Sequence, residues 1–335
     1  MTDTNSHIEE LLTLEVPGYS IPAALTLPAD WRQSTTLPSA ILLVPGSLFC
    51  DVNGDFPTWS SFPHVYAHLA RQLSGKGHAV YRFAKLGPGT GSTATDPELA
   101  AKLRNWEGRL VIATAALGAM RRELESRGVS VARTIAAGHS EGSVVVSRLA
   151  VSDAGRDLDG VVLLSGPSIG ILGIMREQIA LYAAPNEVEE ARRHHDSAVA
   201  YIHRGQPIPE ALAKGKGMGV GALANMPPEA RNYMRDVDLT DPLALVREMP
   251  QQALVVQGGK DDSVPAHHGE RIRDALRSRP NGNELSDYLF VSGVSHMYKV
   301  VPPEITGPAA FGYPGPTDDR VVDGIDAWVR TVQKI

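Results

Sequence analysis

The sequence predicts an α/β fold: a mostly parallel central sheet flanked by helices, with an inserted helical segment late in the chain. Three observations point there. Short, continuous apolar runs alternate with longer segments of helical periodicity, the pattern of βαβ units. Most of those runs end in glycine or a small polar residue and carry no polar alternation, as suits strands buried on both faces. From about Ser168 to Pro250 the strand-like runs stop, and about 80 residues of broken helical pattern intervene before they resume.

In chain order, "IEELLTLEVPGYSIPAALTLPAD" reads as two antiparallel strands joined at Pro17-Gly18. "SAILLVPGS", "HAVYRFAKLG", "VARTIAAGHS" and "DGVVLLSGPS" follow as buried strands. Leu103, Trp106, Leu110, Ala113, Leu117, Met120 and Leu124 recur at three- and four-residue spacing and define an amphipathic helix. Asp96-Pro97 is a cap-and-start signal for this helix or for one before it. In the helical segment the breaks fall at "AAPN", "RGQPIP", "GKGMGVG" and "NMPPEA", and an 80-residue excursion far exceeds an ordinary crossover. The sheet then resumes with "ALVVQGGKDD" and "SDYLFVSGVSH", and Val321, Ile325, Trp328 and Val332 mark a terminal helix. The expected division is therefore a core of residues 1–167 and 251–335 and a helical cap of residues 168–250.

Bulk composition excludes several classes of function. An apolar content of 43% and a charged content of 21% are those of a soluble globule. A net charge of −6 with no clustered basic patch argues against nucleic acid or an anionic membrane as partner. Cys50 is the single cysteine, so no internal disulfide forms. The N-terminus "MTDTNSHIEELL" lacks the charge and apolar run of a signal peptide, and no run approaches the roughly 18 residues of a membrane span. The expectation is a soluble, cytoplasmic protein without cofactor.

Two stretches fit G-x-S-x-G, the pattern that presents a serine nucleophile at a strand-to-helix turn: "GHSEG" around Ser140 and "GPSIG" around Ser168. Pro167 lacks an N–H and restricts its turn, and Ser168 leads into the insert; a plain turn suffices for it. Ser140 instead leads into "EGSVVVSRLAV", which packs as one helix before the next strand. A serine hydroxyl is a poor nucleophile until a base takes its proton, and the base needs an acid to hold its tautomer. Asp261 and Asp262 lie just past a late strand, and His296 just past the next. Gly258 and Gly259 place the turn immediately after the strand, which favours Asp261 to swing back to the sheet edge as the acid, with Asp262, otherwise solvated, as the alternative.

An oxyanion hole takes one N–H from the residue after the nucleophile, Glu141, and one from the loop after an early strand. In "LLVPGSLF" the Ser47 N–H is the favoured second donor and Leu48 the alternative. "KLGPGTGST" lacks the ending of a P-loop and reads as a turn. His267 and His268 read as surface residues opening a helix, and His194-His195-Asp196 lacks the partners of a metal motif, so no metal is expected. Met175, Tyr182, Tyr201, Met218 and Met234 are candidates to shape the leaving-group side, set against ordinary helix packing.

With "LLVPGS", "GHSEGS", "GGKDDSVP" and "GVSHM" in this order, the chain resembles the α/β-hydrolase superfamily, and within it the capped bacterial carboxylesterases and serine-aminopeptidase-like hydrolases. The resemblance implies the α/β-hydrolase fold, with Ser140, Asp261 and His296 as nucleophile, acid and base. Two departures bear on substrate. Leu48-Phe49 replace a small residue in the oxyanion loop and are expected to line the acyl side. Ala84 and Leu86 replace two charged residues that would brace the next loop. The function expected is hydrolysis of small-molecule carboxylic esters through an acyl-enzyme. A peptidase, thioesterase, lactonase or acyltransferase on the same triad, or a catalytically silent ligand-binding fold, are the alternatives. A homodimer, if formed, would use the cap. The carboxylate of Glu141, beside the oxyanion, is expected to start a helix; if it points into the pocket it would disfavour anionic substrates.

Overall fold

The computed structural model describes residues 7–214 and 220–333. Nine strands among them form a single sheet: β1 (His7–Val16), β2 (Tyr19–Pro28), β3 (Ala40–Val44), β4 (Ala79–Phe83), β5 (Thr93–Ala94), β6 (Thr134–His139), β7 (Gly160–Leu164), β8 (Gln252–Gly258) and β9 (Ser286–Val291). Their spatial order is β1-β2-β4-β3-β6-β7-β8-β9, with β5 paired to β2. From β4 to β9 every pair is parallel; β1 and β2 form an antiparallel hairpin whose turn is Pro17-Gly18.

Side chains of a strand alternate between faces, and the core divides accordingly. Leu42 and Val44 of β3 and Val161 and Leu163 of β7 join one apolar cluster with α3 (Trp106–Ser126) and α4 (Glu141–Val151). Their neighbours Ile41, Leu43, Val162 and Leu164 face the other way, onto α1 (Val65–Gly75) and α13 (Asp319–Thr331). Both faces are thus covered, which is why the strands read as continuous apolar runs. Asp96 caps a short α2 (Pro97–Lys102) by accepting the Glu98 and Leu99 N–H groups. The expected helix starts later, because Asn105 accepts the Gly108 N–H and caps α3 anew; Leu103 falls in the joint between them.

Between β7 and β8 the described residues hold six helices: α5 (Ile171–Tyr182), α6 (Val188–His203), α7 (Glu210–Ala213), α8 (Val220–Asn225), α9 (Pro228–Asp238) and α10 (Pro242–Glu248). Leu172, Ala198, Ile202, Ile208, Val220 and Leu223 give them a small core of their own. Tyr233 and Val237 of α9 and Val246 of α10 join the main core instead, so the insert is seated on the sheet layer. After β8 come α11 (Ala266–Arg277), α12 (Gly307–Phe311) and the terminal α13. No described helix is long and apolar enough to cross a membrane.

The hairpin turn is fixed by glycine. Gly18 sits at φ +83°, and a Cβ there would lie 2.3 Å from the Ala100 N of α2. A Gly18→Ala variant is expected to lose at least about 2 kcal/mol in urea unfolding, from left-handed backbone strain plus displacement of α2. Unchanged stability would contradict this packing.

Candidate active site

Ser140 is the single residue between β6 and α4, at φ 56° and ψ −124°. Such a conformation costs a non-glycine residue on the order of 1–3 kcal/mol and persists only where its surroundings enforce it. Here its N–H donates to the Leu164 carbonyl at 2.8 Å, and its own carbonyl accepts the Ser143 N–H at 2.9 Å. The flanking glycines have a steric reason. A Cβ on Gly138 would lie 2.1 Å from the Gly142 oxygen, and one on Gly142 would lie 2.4 Å from the Val44 oxygen. The G-x-S-x-G spacing at Ser140 is what lets helix, strand and β3 meet at one point.

Asp261 and His296, the residues read as acid and base, lie together. His296 Nδ1 donates to Asp261 Oδ2 at 2.8 Å, both side chains being buried. Asp261 Oδ1 accepts the Ser263 and Val264 N–H groups at 3.0 and 2.8 Å, which fixes the carboxylate. Asp262 is not simply solvated: it accepts the Gly307 N–H at 2.8 Å and so holds the start of α12. Phe311 of that helix stacks 6.3 Å from the His296 ring and forms one wall of the site. Among the described residues Ser140 Oγ and His296 share no hydrogen bond; they are neighbours through His139, whose ring lies 4.5 Å from that of His296.

A chain of directed hydrogen bonds joins the three loops. The His296 carbonyl can only accept, so His139 Nε2, 3.0 Å away, carries the proton. His139 Nδ1 is then an acceptor, and takes the Tyr66 hydroxyl proton at 3.1 Å. The Tyr66 oxygen in turn accepts the Gly46 N–H at 3.0 Å. Burial, and then the neighbouring His296, push the His139 pKa well below the ordinary histidine range, so the neutral ring this chain requires is also the favoured one.

In the loop after β3 the Gly46 N–H is therefore committed. The Ser47 and Leu48 N–H groups have no acceptor among the described residues, and nor does the Glu141 N–H at the start of α4. A Cβ on Gly46 would lie 3.1 Å from the Ser140 Cβ, so this loop runs directly beside the serine. Leu48 packs against the second apolar cluster, and Phe49 lies exposed over Gly87. The Glu141 carboxylate does not line an open pocket. It starts helix α4 as expected and is buried against Lys85, Arg109 and Tyr233, so the condition under which it would disfavour anionic substrates is not met.

Elsewhere among the described residues two hydrogen-bonded Ser-His-acid chains occur, and they sharpen what distinguishes Ser140. Ser168, read as a plain turn residue, bonds through Oγ to His268 Nδ1 at 2.8 Å, and His268 Nε2 meets Glu177 Oε2 at 2.9 Å. His268, read as a surface residue, is thus fully buried. At the opposite ends of the strands, Ser39 Oγ bonds to His78 Nδ1 at 2.9 Å, and His78 Nε2 to Asp326 at 2.8 Å. In both, the serine is sealed in the interior and Nδ1 faces the serine. Of the histidines of these three sites, His296 alone turns Nδ1 to its acid, and its Nε2 has no hydrogen-bond partner among the described residues, the arrangement in which Nε2 can take a serine proton.

Glu177, His267 and His268 also place three ligand-type atoms within 4.8 Å of one another. The Ser168 N–H donates to His268 Nδ1 at 3.2 Å, however, which puts the proton on Nε2 and removes the lone pair a metal would need. His195 bonds to the Leu172 carbonyl and Asp196 pairs with Arg176, so this pair is structural. Met175, Tyr201 and Met234 pack in the insert's own core, Tyr182 is exposed, and Met218 lies outside the described residues.

Residues 41–298 match the Alpha/beta hydrolase family. Solved structures similar over nearly the whole chain include a carboxyl esterase from the mycorrhizal fungus Tuber melanosporum (16% identity, TM-score 0.53, covering 99% of this chain and 88% of that one). A proline iminopeptidase from Mycobacterium smegmatis (15%, TM-score 0.56, covering 96% and 97%) and an esterase from Pyrococcus furiosus (12%, TM-score 0.54, covering 97% and 92%) are others. At these identities the likeness is one of fold. No curated protein matches the chain in sequence.

The turn's steric argument has a direct check. A Gly142→Ala variant must push β3 and α4 apart where the Cβ would meet Val44 O at 2.4 Å and Pro45 O at 2.7 Å. Its stability is expected to fall by about 1–3 kcal/mol in urea unfolding. An unchanged midpoint would show that the turn does not need glycine there.

Proposed function

We propose that this chain, which belongs to the alpha/beta hydrolase family, hydrolyses carboxylic esters of small or medium acyl compounds through an acyl-enzyme on Ser140. The reading is carried by one observation: a hydrogen-bonded Asp261–His296 pair, its Nε2 uncommitted among the described residues, lies beside a serine held at a strained strand-to-helix turn. The hydrolase fold suits a small-molecule substrate. Substrate binding draws Ser140 Oγ and His296 Nε2 into hydrogen-bond contact, as catalytic hydrogen bonds commonly tighten in the bound complex.

His296 Nε2 then takes the hydroxyl proton as Oγ attacks the ester carbonyl carbon. The carbonyl electron pair moves onto oxygen, where the N–H groups of Glu141 and of Ser47, or Leu48 in its place, receive it. One such donor is worth roughly 3–4 kcal/mol of barrier. Asp261 holds the His296 tautomer and stabilises the imidazolium. Collapse of the tetrahedral species breaks the ester C–O bond, and His296 returns its proton to the departing alcohol. Water, deprotonated by the same Nε2, attacks the acyl-enzyme and releases the acid and free Ser140. Helices α5–α10 act as a cap over this chemistry, and Leu48, Phe49 and Phe311 provide apolar walls.

A panel of ester, thioester, lactone and aminoacyl substrates tests the reading. Turnover is expected to be highest on neutral esters. Ser140→Ala should lower kcat by about 10⁶ and Asp261→Asn by about 10⁴, while Ser168→Ala stays within about twofold of wild type, like a substitution outside the machinery. Ester turnover surviving in Ser140→Ala would overturn the assignment, and preferred cleavage of aminoacyl amides would shift it to a peptidase.

A further inference from the structure

We propose that the Glu141 side chain is a positioning group: with Lys85 and Arg109 it forms a buried ion cluster that aims the oxyanion-loop N–H groups at Ser140, and Tyr233 ties that cluster to helix α9. The proposal rests on the reading of Ser140 as nucleophile and goes beyond it by assigning four side chains the triad does not use.

Glu141 Oε1 lies 3.2 Å from Lys85 Nζ, 3.3 Å from Arg109 Nε and 2.7 Å from the Tyr233 hydroxyl. The side chains of Glu141, Lys85 and Arg109 are 2%, 6% and 7% exposed. One carboxylate therefore faces two cations where water cannot compensate the excess. That excess is directed at backbone carbonyls of a single loop. Lys85 Nζ donates to Ser47 O, and Arg109 Nη2 donates to Pro45 O at 2.5 Å and to Gly46 O at 3.3 Å.

The consequence follows from peptide geometry. In a trans peptide the C=O and the next residue's N–H point in opposite directions, and the described chain contains no cis bond. Pulling Gly46 O toward Arg109 turns the Ser47 N–H away from the cluster, and pulling Ser47 O toward Lys85 does the same for Leu48. Those are the two N–H groups left without an acceptor beside Ser140. Glu141 thus acts on both halves of the oxyanion hole, with its own N–H on one side and its carboxylate, through two cations, on the other. Without the carboxylate the two cations repel each other and neither is held at its carbonyl.

Tyr233 extends the device to the insert. Its ring meets Trp106 edge-on at 6.1 Å and lies under Lys85 Nζ at 5.5 Å, while its hydroxyl donates to Glu141. Seating of α9 therefore completes the coordination of the carboxylate. Lys85 thus braces the loop after β3 from the end of β4.

The test compares wild type, Ser140→Ala, Lys85→Met, Tyr233→Phe and Glu141→Gln on a chromogenic short-chain aryl ester, with fluorophosphonate labelling mapped to Ser140. Lys85→Met is expected to lower kcat by about 10²-fold with KM within about threefold, the signature of a lost transition-state interaction. Tyr233→Phe should lower kcat about tenfold with KM unchanged, and Lys85→Arg should recover part of the Lys85→Met loss. Glu141→Gln leaves two buried cations unpaired and puts folding itself at risk, so Lys85→Met and Tyr233→Phe carry the decision. Wild-type kcat in both of these variants, or a loss confined to KM, overturns the positioning role while leaving Ser140 intact. A wild-type protein that fails to label at Ser140, or an active Ser140→Ala, overturns both readings.

Discussion

Three loops leave the sheet from different strands, and one chain of hydrogen bonds decides how they meet. Gly46 after β3 donates to Tyr66, Tyr66 donates to His139 at the end of β6, and His139 donates to the carbonyl of His296 beyond β9. Every direction in that chain is set by which group can only accept. Each bond contributes a net of only about 1 kcal/mol, yet an unmade one would leave a buried polar group costing about 1–3 kcal/mol. The chain therefore does less to stabilise the fold than to exclude other arrangements of the loops. It also consumes the Gly46 N–H, so that in the proposed mechanism the next amides along the loop, which have no acceptor among the described residues, receive the negative charge.

Electrostatics around the serine divide into two separate layers. On one side the Asp261–His296 pair is held by backbone N–H groups, and the His296 Nε2 has no hydrogen-bond partner among the described residues. On the other, burial raises the Glu141 carboxyl, but Lys85 and Arg109 outweigh it and hold the group below its ordinary range, as a charge rather than a neutral acid. Lys85 itself is drawn down to about 8, chiefly by burial and against the pull of Glu141. In the proposed mechanism an acid next to Ser140 is compatible with an oxyanion because its charge is met by cations behind the loop. What reaches the reaction side is the orientation of amides.

Much of this was legible in the sequence, and the limits are physical. The parallel strands announce themselves because burial on both faces demands unbroken Val, Ile, Leu and Ala runs. Ser140, Asp261 and His296 are legible because each follows a strand and because glycine marks the turn at Ser140 and at Asp261. Tyr66, Arg109 and Tyr233 were missed, since each lies within a helix and acquires its partner only across 20 to 92 residues of chain. Arg109 did leave a trace: it lies three residues after Trp106 and four before Ala113, a charge on the buried stripe of α3. His268 was misread for a related reason. Its sequence neighbourhood is polar, and only the approach of Ser168 after β7 and of Glu177 on α5 to the first turn of α11 reveals that it is sealed.

Two hydrogen-bonded Ser-His-acid chains among the described residues, besides the proposed site at Ser140, make the identity of the nucleophile the central claim. Mass spectrometry of the protein quenched with acid during turnover of a slowly deacylated ester tests it most directly. The account expects one acyl mass per chain, carried on the peptide that contains Ser140 and lost on further incubation. An adduct on the peptide containing Ser168, or ester turnover with no covalent acyl species at any quench time, would contradict it.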